Sequence, residues 1–258
     1  MRNRIKELFR TGKPAFGAHI KLPTATSVEV AGVAGLDFVR FDLYHWPYNP
    51  ETLENMIRTA YSYGMTSLVR CRKDPWVIMN TLDMGAQGVI VPRVRSVEEA
   101  RAAVNAVYYP PKGEREESRP LRYRRMSIAE YNEWASTQMI VGCSIEDLAG
   151  LESLPEIVKL EGIDVIASGP GDLALALGVP GERNHPKVQE AWKRALSIAL
   201  EAGKQISLTV APTPEGLESA QRWMEQGARL ITIDDEYKTL LRGYEAVVGR
   251  LGPGSQKR

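Results

Sequence analysis

The 258-residue sequence has little of several features that define specialised protein classes. It contains two cysteines, Cys71 and Cys143, both in or beside apolar runs, which argues against a disulfide-stapled scaffold and favours two buried thiols. No apolar run approaches the ~20 residues that span a bilayer. The basic N-terminus lacks the apolar stretch of a signal peptide, and a net charge of +1 gives no support for a nucleic-acid partner. We therefore expect a soluble, cytoplasmic protein that binds neither nucleic acid nor membrane.

What the sequence does have is enough apolar material for one large core. Hydrophobic residues make up 43% and charged residues 25%, an ordinary globular balance. Eight apolar runs alternate with helical patterns, and continuous apolar runs are typical of strands that are covered on both faces. The predicted strands are Ala15–Ile20, Phe38–Leu43, Thr66–Arg70, Gly88–Val91, Met139–Ile145, Ile163–Ala167, Gln205–Val210 and Leu230–Ile233.

This alternation favours an α/β fold, a (β/α)₈ TIM barrel with eight strands and eight helices, over an open doubly wound sheet. We assign residues 1–251 to a single barrel domain and 252–258 to a disordered tail. A charged insertion at 108–135 separates strands four and five, and its arginines and glutamates predict a solvated or intersubunit surface rather than a phosphate site. The last helix carries an apolar stripe over residues 237–251.

Polar residues concentrate at the predicted C-terminal ends of the strands, where barrel enzymes keep their chemistry. Glu146 and Asp172 lie 26 residues apart, about one strand–helix unit, and so belong to neighbouring strands. Two oxygen ligands suit a hard divalent cation such as Mg²⁺ or Mn²⁺. The same rim receives these further residues: His19, Lys21, Asp42, His45 and Arg70. An acid pair, a histidine for proton transfer and an arginine for developing negative charge predict a metal-dependent enzyme.

Each of these residues also has a simpler interpretation. His45 is equally consistent with a hydrogen-bonded loop residue, and Arg70 with an ion pair that ties the rim together. Glu146 is also typical of the first turn of a helix, and Asp172 of a helix cap after a Gly-Pro-Gly turn. These alternatives are weaker jointly than singly, because all four residues fall on one rim.

Six stretches together resemble the HpcH/HpaI aldolase family, metal-dependent class II pyruvate aldolases of 2-keto-4-hydroxy acids. They cover nearly the whole chain in the family's order and spacing. The stretches are GLDFVRFDLYH (35–45), LVRCRKD (68–74), LDMGAQGVIVPRV (82–94), YYPPKGER (108–115), SIED (144–147) and SGPGDLALALG (168–178).

The resemblance implies a divalent metal, Mg²⁺, Mn²⁺ or Co²⁺, held by Glu146 and Asp172 and chelated by pyruvate. It further implies that Arg70 stabilises the enolate and that His45, oriented by Asp42, acts as the base. For the fold, the resemblance implies a (β/α)₈ barrel whose eighth helix is swapped between subunits. For the assembly, it implies a hexamer built as a trimer of dimers. The apolar stripe on the last helix is compatible with a swapped or an unswapped position.

Other positions would line the substrate pocket. The amides of Gly171 and Asp172 would bind the substrate carboxylate, and Ala211 would line the wall. Ser144 stands where the family commonly has Gln, and His19 where many members have Trp, so both are expected to face the substrate.

Three further departures surround the proposed base and metal. Tyr44 replaces a usual Glu, and Asp147 replaces a usual Thr and is expected to add a third acid near the metal. Arg40 lies two residues before Asp42 on the same strand face, so we expect it to pair with Asp42 and weaken its hold on His45. The pattern indicates retained enolate chemistry with an altered substrate preference.

The sequence thus predicts a carbon–carbon lyase, an aldehyde-lyase that joins pyruvate to an aldehyde or cleaves the adduct. The alternative on the same scaffold is oxaloacetate decarboxylation or a citrate-lyase-type thioester cleavage. A Schiff-base enzyme using Lys21 or Lys204 is disfavoured, because Lys204 precedes its strand. A non-catalytic binding protein is disfavoured by the intact Glu146, Asp172 and Arg70.

Overall fold

A closed barrel of eight parallel strands forms the centre of the molecule, in a computed structural model that describes residues 2–251. Each strand pairs with the next, and the eighth pairs with the first. The predicted disordered tail, 252–258, lies outside the described residues. The strands are β1 Ala15–Ile20, β2 Phe38–Asp42, β3 Thr66–Arg70, β4 Gly88–Val91, β5 Ile140–Ser144, β6 Val165–Ala167, β7 Gln205–Val210 and β8 Leu230–Ile233.

The helices pack around this barrel. They are α1 Arg4–Arg10, α2 Ala25–Val33, α3 Pro50–Ser62, α4 Pro75–Asp83, α5 Val97–Val107, α6 Ile128–Gln138, α7 Leu148–Ile157, α8 Pro170–Ala176, α9 Pro186–Glu201, α10 Pro214–Glu225 and α11 Glu236–Leu251. The predicted barrel and its eight strands are confirmed to within one or two residues at the ends. The prediction of eight helices is wrong for residues 2–251, because α1, α6 and α8 are additional to one helix per strand.

Local sequence signals explain where helices begin and end. In α3 the Asn49 side chain accepts a hydrogen bond from the Glu51 amide at 2.9 Å, and Pro50 occupies the first turn, where no amide donor is needed. Gly64, at a φ of +71°, reverses the chain after the helix. Such helix caps and turns set the lengths of the loops between strands and helices. They thereby set where each strand ends along the barrel axis.

The barrel interior has two chemically different layers. Its lower layer is apolar and is closed from below by α1, whose Ile5 and Leu8 are buried against strand residues including Phe38 and Leu230. Further along β2, Arg40 and Asp42 point to the same side as Phe38 because side chains alternate along a strand. The upper interior is therefore polar, and it opens at the C-terminal ends of the strands.

The insertion at 108–135 is more ordered than its charge predicts. It contains a short 3-10 helix, Leu121–Tyr123, and the start of α6. The tilted rings of Tyr123 and Tyr131 pack with their centroids 5.1 Å apart, and Arg115 is buried with its Nη2 2.6 Å from Asp83 Oδ1. The expectation of a solvated surface is therefore wrong for Arg115, which fastens the insertion to α4.

The last helix, α11, shows the opposite behaviour. None of its residues is buried, and its apolar stripe is exposed. The exposed apolar side chains are Leu240, Leu241, Tyr244, Val247, Val248 and Leu251. Among residues 2–251, no helix is both long and apolar enough to cross a membrane.

Candidate active site

A cavity of about 850 Å³ opens at the C-terminal ends of the strands. Every predicted site residue lines it. Those residues are His19, Asp42, His45, Arg70, Ser144, Glu146, Gly171, Asp172 and Ala211. The C-terminal ends of parallel strands meet at one rim of a barrel. The cavity therefore gathers residues from six different strands or the loops that follow them.

Arg70 and Glu146 form an ion pair inside this cavity. An Arg70 Nη2 hydrogen donates to Glu146 Oε1 at 2.9 Å, while Nη1 lies 3.6 Å from Asp42 Oδ2. Burial raises the pKa of Glu146, the positive charge of Arg70 opposes this, and the negative charge of Asp172 adds to it. The simpler interpretation of Arg70, an ion pair tying the rim together, is thus present in the structure, and it coexists with a position inside the cavity.

Asp172 lies in the first turn of α8, after the Gly169 N-cap. Its side chain makes no hydrogen bond or ion pair with residues 2–251, so it does not cap the helix. It is exposed at the cavity, and its charge is felt by Glu146. Next to it, the Arg183 guanidinium lies over Gly171, where an added Cβ would sit 3.5 Å from Nη2. Two carboxylates therefore share one cavity, with Asp172 free to bind a ligand.

His45 is held by Asp42 in a way that differs from the expectation. Asp42 Oδ1 accepts hydrogen bonds from the backbone amides of Tyr44 at 3.0 Å and His45 at 3.1 Å, and the imidazole is not its partner. The Tyr44 ring instead packs edge-to-face with the imidazole, with centroids 4.5 Å apart, and the Arg70 guanidinium carbon lies 5.1 Å from the Tyr44 ring centroid. The prediction that Asp42 orients the His45 side chain is therefore wrong: Asp42 fixes the turn that presents it.

The two residues flanking Glu146 face different surroundings. Ser144 is buried at the end of β5 and lines the cavity, as expected. Asp147 does not line it. Its Oδ1 caps α7 at the Gly150 amide, and its Oδ2 lies 2.6 Å from Arg95 Nε. Burial would raise the pKa of Asp147, but these bonds hold it below its usual value. The expectation of a third acid near a metal is therefore wrong.

Arg40 also departs from its expected role. It forms no ion pair with Asp42; its Nη1 donates weakly to Ser207 Oγ at 3.5 Å across the barrel interior. The cations near Asp42 Oδ2 are Arg70, with Nη1 at 3.6 Å, and Lys21, with Nζ at 3.8 Å. Burial and the charge of Arg70 lower the pKa of Arg40 to about 10, which leaves it protonated at neutral pH.

The alternative Schiff-base lysines are both engaged elsewhere. Lys204 Nζ donates to the carbonyls of Leu160 and Ile163, beneath the strands and away from the cavity. Lys21 Nζ lies 3.3 Å from Asp235 and 5.5 Å from the centroid of Trp46. Lys204 therefore lies outside the cavity, whereas Lys21 lines it as an ion-paired ammonium.

Sequence reasoning missed an acid that follows β8. Asp235 Oδ1 lies 3.4 Å from His19 Nδ1 and, with Lys21 and Lys238, completes a network at this side of the rim. Burial would raise the pKa of Asp235, but the bonds to His19 and Lys238 and the charge of Lys21 hold it well below its usual value. Asp234 and Asp235 directly follow β8, so the rule applied to the other strands would have found them.

Within residues 2–251, no group of three or more His, Cys, Asp or Glu side chains is placed to hold a metal ion. Any metal would therefore bind through the two carboxylates, Glu146 and Asp172, together with water or substrate oxygens.

A closed (β/α)₈ barrel with acids, a histidine and an arginine facing one cavity at the C-terminal rim defines an enzyme of the TIM-barrel class. The pattern of the HpcH/HpaI aldolase/citrate lyase family matches residues 16–237. The chain belongs to this family.

Sequence relatives that match nearly the whole chain support this assignment. The chain is 34% identical over 257 residues to the 4-hydroxy-2-oxo-heptane-1,7-dioate aldolase of Shigella sonnei strain Ss046, covering 98% of this chain and 96% of the relative. It is 33% identical to the Escherichia coli strain SE11 protein of the same name, with the same coverage.

Solved structures also superpose on nearly the whole chain. The citrate synthase SbnG superposes with a TM-score of 0.86 at 27% identity, covering 95% of this chain and 96% of that one. The HpcH/HpaI aldolase from Desulfitobacterium hafniense DCB-2 superposes with a TM-score of 0.87 at 26% identity, covering 98% of each chain.

Proposed function

We propose that this protein is a divalent-metal-dependent class II aldolase that makes or cleaves 2-keto-4-hydroxy acids through a pyruvate enolate. The observation that carries this proposal is the meeting of Glu146, Asp172 and Arg70 in one cavity. Membership of the family and the aldolase names of the full-length relatives support it.

The two acids fit a hard divalent ion. Glu146 Oε1 accepts from Arg70, which leaves Oε2 available, and Asp172 has no partner within residues 2–251. Without a cation the two negative charges repel each other. The pKa of Glu146 is raised chiefly by burial, and the charge of Asp172 raises it further. Oxygen donors of this kind suit Mg²⁺, Mn²⁺ or Co²⁺. When bound, such an ion supplies Lewis-acid stabilisation of negative charge on the keto acid.

The protein's own side chains account for the remaining chemistry. Arg70 donates N–H hydrogen bonds to the ketone oxygen of pyruvate, where negative charge develops. The His45 imidazole, exposed at the cavity, takes one proton from the pyruvate methyl group. The electron pair left on that carbon forms the bond to the aldehyde carbon, and the proton passes to the new alkoxide. One carbon–carbon bond and one hydroxyl form, and no atom is gained or lost.

Removing and restoring the ion tests this proposal. The purified protein is treated with a chelator, then assayed for condensation of pyruvate with an aldehyde before and after Mn²⁺ is restored. We expect activity to disappear and return. Full activity after exhaustive chelation would overturn the proposal.

A second candidate is decarboxylation of oxaloacetate, which also yields pyruvate enolate and therefore needs the same cavity. The superposition on a citrate synthase shows that this barrel hosts other reactions of carboxylic acids. Assaying oxaloacetate loss beside aldol cleavage separates the two, because a decarboxylase alone would leave the 2-keto-4-hydroxy acid intact.

The exposed stripe of α11 supports an oligomer. Monomeric proteins rarely expose so many adjacent apolar side chains. The first half of the helix is anchored to the barrel: Glu236 accepts hydrogen bonds from the Lys21 and Leu22 amides at 2.7–2.9 Å, and Arg242 Nη2 lies 3.7 Å from Asp234 Oδ2. The exposed apolar side chains between Leu240 and Leu251 are available to pack on another subunit, in keeping with a swapped eighth helix and a hexameric trimer of dimers.

A further inference from the structure

Ser168 joins the two segments of chain that carry the paired acids. It is the first residue after β6 and lies four positions before Asp172. Its Oγ donates a hydrogen bond to the Ile145 carbonyl oxygen at 3.0 Å, and Ile145 directly precedes Glu146. The Ile145 amide in turn donates to the Ala167 carbonyl oxygen at 2.8 Å. The backbone that leads to Glu146 is therefore bonded directly to the backbone that leads to Asp172.

Trp192, on α9, holds the same segment through a second bond. Its indole Nε1–H donates to the Ser168 carbonyl oxygen at 3.2 Å. The Trp192 ring is partly buried and packs against the small apolar cluster that contains Leu173, the residue directly after Asp172. One side chain therefore supports the backbone on both sides of Asp172.

The turn between these supports has little rigidity of its own. Between Ser168 and Asp172 the chain reads Gly-Pro-Gly, and glycine adopts more backbone conformations than any other residue. An added Cβ at Gly169 would meet no atom within 4 Å, so packing does not fix the turn there. Asp172 is exposed, and its carboxylate has no hydrogen-bond or ion-pair partner among residues 2–251. Its position relative to Glu146 therefore depends on the frame that Ser168 and Trp192 provide.

We propose that Trp192 and Ser168 are positioning residues, which set the spacing of Glu146 and Asp172 and thereby the affinity of the cavity for a divalent ion. The inference rests on the proposed function, in which these two acids bind the ion. Small divalent ions demand a narrow range of distances to their oxygen ligands. A displaced turn therefore lowers affinity while the barrel stays folded.

Calorimetric titration with Mn²⁺ tests the inference. Trp192→Phe keeps an aromatic ring in the apolar cluster and removes the N–H donor, whereas Ser168→Ala removes the hydroxyl that bonds to Ile145. Groups that orient a metal ligand typically contribute 10–100-fold in affinity. Because these two act through the backbone, we expect roughly a tenfold loss in each variant, at the lower end of that range. Urea denaturation, measured in parallel, confirms that the variants compared are folded.

Trp223→Phe is the matched control. The Trp223 ring packs on that of Trp192 with centroids 4.7 Å apart, and it also lines the cavity. Within the described range, 2–251, the Trp223 side chain makes no hydrogen bond, so the same exchange should leave the Mn²⁺ affinity at the wild-type value. An equal loss in Trp223→Phe and Trp192→Phe would overturn the inference, because the effect would then belong to the packing of α9 on α10.

The double variant tests whether both residues act on one turn. Trp192→Phe combined with Ser168→Ala should lose less affinity than the product of the two single losses, since coupled positions are not additive. Unchanged affinity in either single variant overturns the inference and leaves the aldolase proposal standing. If Trp192→Phe does not fold, Ser168→Ala alone decides. If the wild-type protein itself does not bind Mn²⁺, the proposed function fails and the inference fails with it.

Discussion

Arg70 on β3 and Glu146 after β5 are joined by a 2.9 Å hydrogen bond inside the cavity, although 76 residues separate them in the chain. The bond engages one carboxylate oxygen and leaves the other for a ligand. It also stabilises the buried negative charge when no cation is bound. On the proposed function, Arg70 would hold Glu146 in place both with and without a bound metal ion.

Glu146→Gln should abolish tight metal binding while leaving the fold intact. Loss of a residue that merely supports a ligand costs roughly 10–100-fold in metal affinity, so loss of the ligand itself should cost at least about 100-fold. Calorimetric titration with Mn²⁺ measures this directly. Asp147→Asn is the matched control, since Asp147 caps α7 and lies outside the cavity. Equal affinities for the two variants would contradict the assigned ligand.

Arg40→Met should leave the free energy of unfolding unchanged or raise it by about 1–4 kcal/mol. The Arg40 guanidinium is buried without an ion-pair partner among residues 2–251, and exchanging buried charge for an apolar side chain of similar size is often stabilising. Urea denaturation measures the change. Arg70→Met should instead destabilise the protein by about 3–5 kcal/mol, because it leaves Glu146 buried without its partner. A large loss of stability in Arg40→Met would mean that its charge supports the fold.

The stability of the protein should fall as the pH decreases from about 6.5 to about 4, and His19 should be responsible. Its pKa is lowered from 6.5 to about 4 in the folded state by burial and by Arg40. Between these values the unfolded chain binds a proton that the folded chain does not, so acid favours unfolding. At pH 5 the loss relative to pH 7 is roughly 2 kcal/mol.

Denaturant titrations of the wild type and His19→Leu at the two pH values test this prediction. The variant should lose less stability on acidification than the wild type. His185→Gln, at an exposed turn before α9, should retain the wild-type pH dependence. An unchanged pH dependence in His19→Leu would assign the effect to another group.

Charges placed on the α11 stripe should prevent assembly of the proposed oligomer. Tyr244 and Val248 are each 67% exposed in the chain on its own, so replacing both with Glu should cost the isolated subunit little. If the stripe packs on another subunit, the double variant should have a lower molar mass in light scattering than the wild type. Glu245→Gln, on the same helix, is the control. A wild-type mass of 28.7 kDa, that of one chain, would rule out the assembly.

The barrel and the membership of the cavity were predictable from the sequence because both depend on local signals. An apolar β-branched run identifies a strand, and the polar residue that follows it lies on the C-terminal rim. This placed Glu146 and Arg70 correctly. The hydrogen-bond partners of Asp147 and Asp42 were not predictable, because the sequence offers each carboxylate several possible donors. Only the packed structure shows that Asp147 bonds to Arg95 and that Asp42 bonds to backbone amides.

The same limit applies to the pairing of His19 with Arg40. The alternation along β2 put Arg40 on the inner face, but the register that sets it beside His19 depends on how two strands align across a helix. The sequence contained both residues and gave no sign that they stand together without partners.

Glu146 and Asp147 are adjacent in the chain, yet one faces the cavity and the other fastens α7 to the loop after β4. Glu146 therefore belongs to the cavity, and its neighbour Asp147 belongs to the surrounding scaffold. Threonine, the residue expected at position 147 from the family resemblance, also caps helices through a side-chain oxygen. An exchange of Asp and Thr there alters how a helix starts, whereas a change one position earlier alters what the protein can bind.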